Sequence, residues 1–336
     1  MSKRGITIAG AGITGLWQAL TLARRGHRVQ LLERSPEPFA QAASRLAGAM
    51  LAPYCEAEAA EAVVRDLGLR SIALWRATYP GLIGNGTLVV AGTRDRAELT
   101  RFARMTEGFD KLDAEELHAL EPGLEGRFAA GLYYREEGHM VPSEAMAYLL
   151  DAAKSAGAAV AFGAAWPGVA ATGQIVIDCR GLAARSELPG LRGVRGERVV
   201  VRTTEVALKR PVRLLHPRHP LYVVPWGGGL FMLGATVIES EDAGPVTVRS
   251  ALELLGSAYA LHPAFAEAEI VEIGAGVRPA FADNVPKIVV RGRIVHVNGL
   301  YRHGFLLAPT LAELVADYLD AGAVDDRVLV VEKTPS

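Results

Sequence analysis

The segment Ile6-Thr-Ile-Ala-Gly10-Ala-Gly12-Ile-Thr-Gly15 leaves the N-terminal part of this chain few choices of fold. An apolar run that reads as a buried strand passes through a glycine turn into Ile13, Leu16, Trp17, Leu20 and Leu22, which recur with helical spacing. Arg24, Arg25 and Gly26 then give a basic last turn and a glycine stop. A second apolar stretch, His27-Arg28-Val29-Gln30-Leu31-Leu32, ends on Glu33. Strand, turn, helix, strand and acid in that order predict a parallel βαβ unit that holds a dinucleotide at its first turn. Gly10 serves the tight turn, Gly12 lets the backbone approach a pyrophosphate, and Gly15 allows helix to pack closely on strand. Glu33 falls where a carboxylate accepts a hydrogen bond from a ribose 2′-OH.

Two uncharged stretches invite other readings. Lys3 and Arg4 ahead of Gly5 to Ala23 imitate the start of a signal peptide, but Gly10, Gly12 and Gly15 break the would-be apolar core, no small-residue cleavage site follows, and Arg24-Arg25 closes it. Ser155 to Ile177 is long enough to span a bilayer, yet it holds Pro167 and several glycines and reads as buried strands and turns. No membrane span is therefore expected. A net charge of −1 offers no footprint for nucleic acid. Cys55 and Cys179 are the only cysteines and form no CxxC, which argues against a zinc site or a disulfide framework and for a reducing, cytoplasmic setting.

Helical spacing is read near Glu56 to Leu67, Arg94 to Met105, Ala114 to Leu120, Ser143 to Ala156, Val248 to Tyr259 and Ala308 to Leu319. Strands are expected at Thr87 to Ala91, Gly131 to Tyr134, Ala158 to Phe162, Gln174 to Asp178, Arg198 to Arg202, Leu221 to Val224, Leu230 to Gly234, Ile270 to Gly274 and Ile294 to Val297. Early strands alternate with helices, whereas the middle of the chain is strand-rich with a turn at Pro225-Trp-Gly-Gly-Gly229. The expected fold is thus α/β: a Rossmann-like domain, discontinuous over residues 1–80, 140–192 and 275–336. An antiparallel β-sheet substrate domain, 81–139 and 193–274, is inserted into it.

Three further constellations stand out. Gln174-Ile-Val-Ile-Asp178-Cys-Arg180-Gly181 is an apolar strand ending at a glycine, equally suited to a structural turn and to close approach of a cofactor. Tyr222-Val-Val-Pro225 and Leu233-Gly-Ala-Thr236 frame a hairpin, and Arg278 follows in Gly274-Ala-Gly-Val-Arg278-Pro279. An arginine there can grip a carboxylate through two parallel hydrogen bonds, with a tyrosine hydroxyl adding a third; taken alone, a surface salt bridge is the commoner fate. Ile294-Val-His-Val-Asn-Gly299-Leu-Tyr-Arg302-His303-Gly304 leads a strand into a helix, which brings free N–H groups and a positive dipole end beside whatever the glycines approach, unless it is a plain strand-to-helix turn. His303 at a helix N-terminus is disfavoured as a cation, and His139 reads as structural.

With these residues in place the chain resembles the D-amino-acid oxidase superfamily of FAD-dependent oxidoreductases, and within it the bacterial glycine oxidases. The resemblance is carried by Gly10 to Gly15 with Glu33, Ser44-Arg-Leu-Ala-Gly48-Ala-Met50-Leu51, Gly138-His139-Met-Val-Pro142, Val194-Arg-Gly196-Glu197, Tyr222 to Pro225, Gly234-Ala-Thr236, Gly276-Val-Arg278-Pro279 and Tyr301-Arg302-His303-Gly304-Phe-Leu-Leu-Ala-Pro309. It implies FAD held by Gly10, Gly12, Ile13, Thr14 and Gly15, by Glu33 and Arg34, and by Ala43, Ser44, Gly48, Ala49 and Met50 of a wrapping segment. It also implies contacts from the Trp166 region, Gly181, and Leu300, Tyr301, Arg302, His303, Gly304, Phe305 and Leu306. Arg278 and Tyr222 match the family's carboxylate-binding pair.

Two departures matter. Asp178-Cys-Arg180-Gly181 replaces a small-residue turn, often Asn-Ala-Ala-Gly, and no cysteine lies near Pro279 to Pro286, so the FAD is expected to be non-covalent. The implied activity is oxidative deamination of glycine or another small amino acid or amine, with dioxygen as acceptor and a place in thiamine thiazole synthesis. A D-amino-acid or sarcosine-type dehydrogenase with another acceptor, a NAD-dependent dehydrogenase sharing only the first loop, and a non-catalytic flavin-binding subunit are the competing expectations. A homo-oligomer is implied by the resemblance alone.

Overall fold

The computed structural model describes residues 4–168 and 173–332. Strand β1 (Gly5–Ala9), helix α1 (Ile13–Arg24) and strand β2 (Arg28–Glu33) form the βαβ unit, with Ile6 beside Val29 and Ile8 beside Leu31 in parallel register. Nearly every residue of α1 from Ile13 to Ala23 is buried, as its uncharged sequence requires. The sheet continues through β9 (Ile175–Asp178) and β16 (Ile294–Asn298) on the β1 side and β8 (Ala159–Phe162) on the β2 side, and β15 (Lys287–Arg291) and β17 (Leu329–Glu332) complete its far edge. The order is β17-β15-β16-β9-β1-β2-β8, parallel except for the β15–β16 hairpin. Helices α3 (Ala62–Thr78), α6 (Pro142–Ser155) and α8 (Gly304–Ala321) join α1 around one continuous apolar core.

A second sheet has the order β14 (Glu269–Ala280), β10 (Arg192–Arg202), β13 (Leu230–Gly234), β12 (Leu221–Gly227), β11 (Val212–Leu215), β4 (Thr87–Ala91), β6 (Ala130–Tyr134) and β5 (Asp110–Asp113). It is antiparallel apart from the β11–β4 pair. One face packs Val199, Val201, Phe231 and Leu233 against Leu254 and Leu261 of α7 (Val248–Leu261) and Leu117 of α5 (Ala114–Leu120). The opposite face carries Tyr222, Val224, Met232 and Val200. A two-stranded ribbon of β3 (Met50–Leu51) and β7 (Gly138–His139), with α2 (Pro53–Glu56) and α4 (Arg96–Met105), completes the structure. Position 275, the expected start of the last Rossmann-like segment, lies inside β14, which runs on to Ala280.

Three element expectations are corrected. The C-terminal helix begins at Gly304 rather than Ala308, with Pro309 inside it. The proline has no N–H for the Phe305 carbonyl, and the Trp75 indole N–H donates to that oxygen instead at 2.8 Å. The helix expected over Glu56 to Leu67 is split, because Pro53 starts a separate short turn and α3 begins only at Ala62. Strand β10 begins at Arg192, well before Arg198. Its charged residues hid it, yet Arg195 and Glu197 are buried and paired with each other at 2.6 Å. Among the described residues no helix is long and apolar enough to cross a membrane. Lys3, and residues 169–172 of the uncharged Ser155 to Ile177 run, lie outside the described residues.

Candidate active site

The carboxyl ends of β1, β2 and β9 and the bare face of the second sheet enclose a cavity of about 860 Å³, at the upper end of the range for small-molecule and cofactor sites. Gly10, Gly12, Ile13, Thr14, Glu33, Arg34, Ala43, Ser44, Gly48, Ala49, Met50, Trp166, Gly181 and all of Leu300 to Leu306 line it, as do Arg278 and Tyr222. Gly15 does not. It stands behind the turn, where a Cβ would overlap the Gly10 carbonyl oxygen.

At one end the glycine turn is shaped by contacts that exclude side chains. Gly10 has φ +98°, and a Cβ there would stand 2.8 Å from the Cys179 carbonyl oxygen. Glu33 accepts the Ala11 N–H at 2.8 Å and the Ser35 N–H at 3.0 Å, so its carboxylate is pinned across the turn. The Ser44 hydroxyl accepts the Ile13 N–H at 3.0 Å and ties the wrapping segment to the start of α1. A glycine cradle at a helix N-terminus, beside an oriented carboxylate, fits the diphosphate and ribose of a dinucleotide such as FAD.

Arg180, the departure from the family turn, is folded back. Its Nε and Nη2 each donate at 2.8 Å to Asp178, and Nη2 also reaches Glu187 at 3.2 Å. The buried Asp178 is also bonded to His296 Nδ1 at 2.9 Å. Burial alone would raise its pKa, but the Arg180 and His296 bonds hold its carboxyl down at about 2.

At the other end Arg278 and Tyr222 share the bare face of the second sheet, on β14 and β12 with β10 and β13 between them. Arg278 Nη1 donates to the Thr236 carbonyl at 3.2 Å, and among the described residues Arg278 is in no ion pair. Burial pushes its guanidinium below the ordinary arginine value, though a guanidinium stays charged at any physiological pH. Glycine gives it room: a Cβ at Gly196 would overlap the guanidinium. A Cβ at Gly48 would overlap Met232 and stand 3.3 Å from the Tyr222 ring.

Two non-glycine residues at the cavity, Ala49 (φ 52°) and Tyr301 (φ 50°), hold left-handed backbone, a strain that clusters at functional sites. The Tyr301 N–H donates to the Pro279 carbonyl at 2.8 Å, which joins the entry of α8 to the Arg278 strand.

Glu56, at the end of α2, is a charged cavity residue that the sequence reading missed. It accepts a hydrogen bond from Arg302 Nη2 at 3.2 Å, forms an ion pair with Arg302 Nε at 3.2 Å, and lies 3.5 Å from His303 Nδ1. Burial alone would raise its pKa, but the charges of Arg302, Arg213 and Arg278 bring it below the ordinary carboxylate value. Glu56 in turn pushes Arg302 above the ordinary arginine value. His303 is the N-cap of α8, and burial pushes it down to about 4, so its imidazole is neutral at neutral pH. The signal for Glu56 lay in its being the first charge after the uncharged run Leu46 to Cys55.

The sequence is 52% identical to a Rhizobium etli chain that carries the name thiamine biosynthesis oxidoreductase ThiO, over 93% of this chain and 95% of that one. It is 29% identical to a glycine oxidase of Geobacillus kaustophilus, over 94% of this chain and 92% of the relative. The crystal structure of glycine oxidase from Geobacillus kaustophilus superposes with a TM-score of 0.77 at 26% identity, covering 94% of each chain. The family model described as FAD dependent oxidoreductase, DAO, matches residues 5–318, which take in both sheets apart from the outermost strand β17, and the chain therefore belongs to that family.

Proposed function

We propose that this protein is an FAD-dependent oxidase of a small amino acid or amine bearing a carboxylate, with glycine the first candidate. The observation that carries the reading is Arg278: a guanidinium facing the cavity, in no ion pair among the described residues, with Tyr222 on the same sheet face and the strained Tyr301 turn beside it. A desolvated arginine without a counter-ion is a site for an anion, and the planar fork favours a carboxylate. Similarity to a glycine oxidase and to a chain named for thiamine biosynthesis supports glycine as substrate and its imine as a precursor for thiazole assembly.

In this reading Arg278 and the Tyr222 hydroxyl fix the substrate's acid group, which sets the Cα toward the Leu300 to Leu306 end of the cavity. Met232 lines the cavity next to Tyr222, packed against Gly48 and Gly234, and its bulk there favours a small substrate. His303 is neutral and Glu56 is held by Arg302, so neither is placed to act as a strong base. The substrate therefore reacts with its amine already deprotonated, and catalysis is chiefly orientation. FAD, when bound, supplies the hydride acceptor and the route to dioxygen, with an imino acid and hydrogen peroxide as products.

The test is anaerobic mixing of the purified flavoprotein with glycine, sarcosine, small D-amino acids and, as control, amines without a carboxylate. Bleaching of the flavin absorbance by the carboxylated set alone is expected, followed by peroxide on admitting air. A flavin that no member of the panel reduces would sink the reading, and reduction without peroxide would move the acceptor away from oxygen.

A further inference from the structure

Arg180 and Trp166 touch across a distance that their strands do not explain. The order β9-β1-β2-β8 places the loops that follow β9 and β8 three strand spacings apart, about 14 Å. Yet the Arg180 guanidinium lies 4.7 Å from the centroid of the Trp166 ring. Their contact therefore passes over the carboxyl ends of β1 and β2, the edge that carries Gly10 and Glu33, and both residues line the cavity.

The two sides of this bridge are built differently. Arg180 is fixed by its two-pronged pairing with Asp178, by Glu187 and, behind Asp178, by His296, which leaves only Nη1 without a hydrogen bond among the described residues. Its charge is matched by Asp178 and Glu187, so what it offers the cavity is a flat, oriented guanidinium rather than a net positive field. Trp166 rides on the loop beyond β8, whose start is tethered to the β2 end where the Gly163 N–H donates to the Ser35 carbonyl and the Ala164 N–H to the Glu33 carbonyl. The loop that carries the ring is thereby hinged on the very strand that ends in Glu33.

We propose that Arg180 and Trp166 form a clasp over the adenosine end of the bound dinucleotide, which slows its release and selects an adenine dinucleotide over a mononucleotide flavin. The inference rests on the family's cofactor and not on the choice of substrate, so it can fail while the substrate reading stands.

The experiment follows FAD leaving the holoenzyme, read as the rise of flavin fluorescence on dilution, for wild type, Arg180→Ala, Trp166→Ala and the double variant. Each single change is expected to speed release about tenfold, the scale of a desolvated cation–π contact, and the double should release no faster than the quicker single. ADP affinity of the apoprotein should fall in parallel while FMN affinity does not change. Release at the wild-type rate, effects that multiply in the double variant, or equal loosening of FMN each overturn the clasp. Should Arg180→Ala fail to fold, Trp166→Leu keeps the apolar bulk of a surface loop and removes only the π face, and wild-type release from it is equally decisive.

Discussion

Gly196 lies directly under Arg278: a Cβ on Gly196 would overlap the guanidinium, although the two residues sit on neighbouring strands with Gly196 opposite Gly276 and Arg278 opposite Val194. The arginine thus leans along the sheet over a residue that has no side chain. Its position is set by what β10 lacks as much as by its own bond to the Thr236 carbonyl.

Gly196→Ala should therefore behave as a mild Arg278 variant. The methyl forces the guanidinium off its seat without changing any charge. A rise in KM for glycine of tenfold or more, about 1.4 kcal/mol or above, is expected with FAD content intact. Arg278→Ala should cost on the order of 2–4 kcal/mol in kcat/KM. Steady-state kinetics on flavin-replete protein check both, and a Gly196→Ala enzyme with wild-type KM would show that Arg278 does not bind the substrate from this position.

Gly15→Ala addresses the opposite end. A Cβ there would overlap the Gly10 carbonyl oxygen and stand 3.0 Å from its carbon, and backbone cannot yield as a flexible side chain does. The turn must open, so the variant should purify with little or no flavin, a loss visible in the ratio of flavin to protein absorbance. A fully yellow Gly15→Ala protein would mean that the turn does not bear on the cofactor.

The nucleotide turn was legible because its requirements are local: glycine where φ is positive, glycine where a helix abuts a strand, a carboxylate at the end of the next strand. Arg278 was legible only through the resemblance, since nothing near it in sequence reveals that Gly196, far along the chain, clears its place. Glu56 was lost for a related reason. Its partners Arg302 and His303 arrive from the other end of the sequence, so in isolation it read as the first charge of a helix. Strand β10 was cut short because Arg195 and Glu197 look solvent-exposed until each is seen to neutralise the other. Pro309 misplaced the start of α8 because the group that relieves it, the Trp75 indole, is on α3.

Acid and neutral stability should be set partly by three buried groups. Burial pushes His139 and His303 each down to about 4 and pushes Glu137 up to about 7. Between about pH 4 and 6.5 the unfolded chain holds more protons on the two histidines, so they make stability rise with pH. Glu137 acts in the opposite sense between about pH 4.5 and 7, where the folded carboxyl holds the extra proton. From these three groups alone, two against one leaves a rise on the order of 1.4 kcal/mol per pH unit from roughly pH 4.5 to 6.5, then a decline toward 7. Glu137→Gln keeps an acceptor for the Cys55 N–H, bonded at 2.8 Å, and removes the opposing group. Its stability relative to wild type should climb with pH across the Glu137 window in urea titrations, and a pH-independent difference would show that Glu137 does not titrate there.

Glu56→Gln tests whether the Glu56–Arg302 pair faces the flavin. Glu56 accepts from Nη2 of Arg302 and stands in ion-pair range of its Nε, so in the wild type the two charges nearly cancel at a distance. The glutamine retains one acceptor and much of the shape but leaves the guanidinium uncompensated beside a neutral His303. If Leu300 to Leu306 contact the isoalloxazine, the added positive potential favours the electron-rich reduced form, by the same reasoning that places cations near developing anions. An interaction of about 1–2 kcal/mol at an effective dielectric near 20 corresponds to a rise of about 20–40 mV in the two-electron midpoint potential. Dye equilibration measures this directly, without reliance on turnover. A potential that is unchanged or lower would move the pair away from the flavin and leave Glu56 as a clamp on the entry to α8.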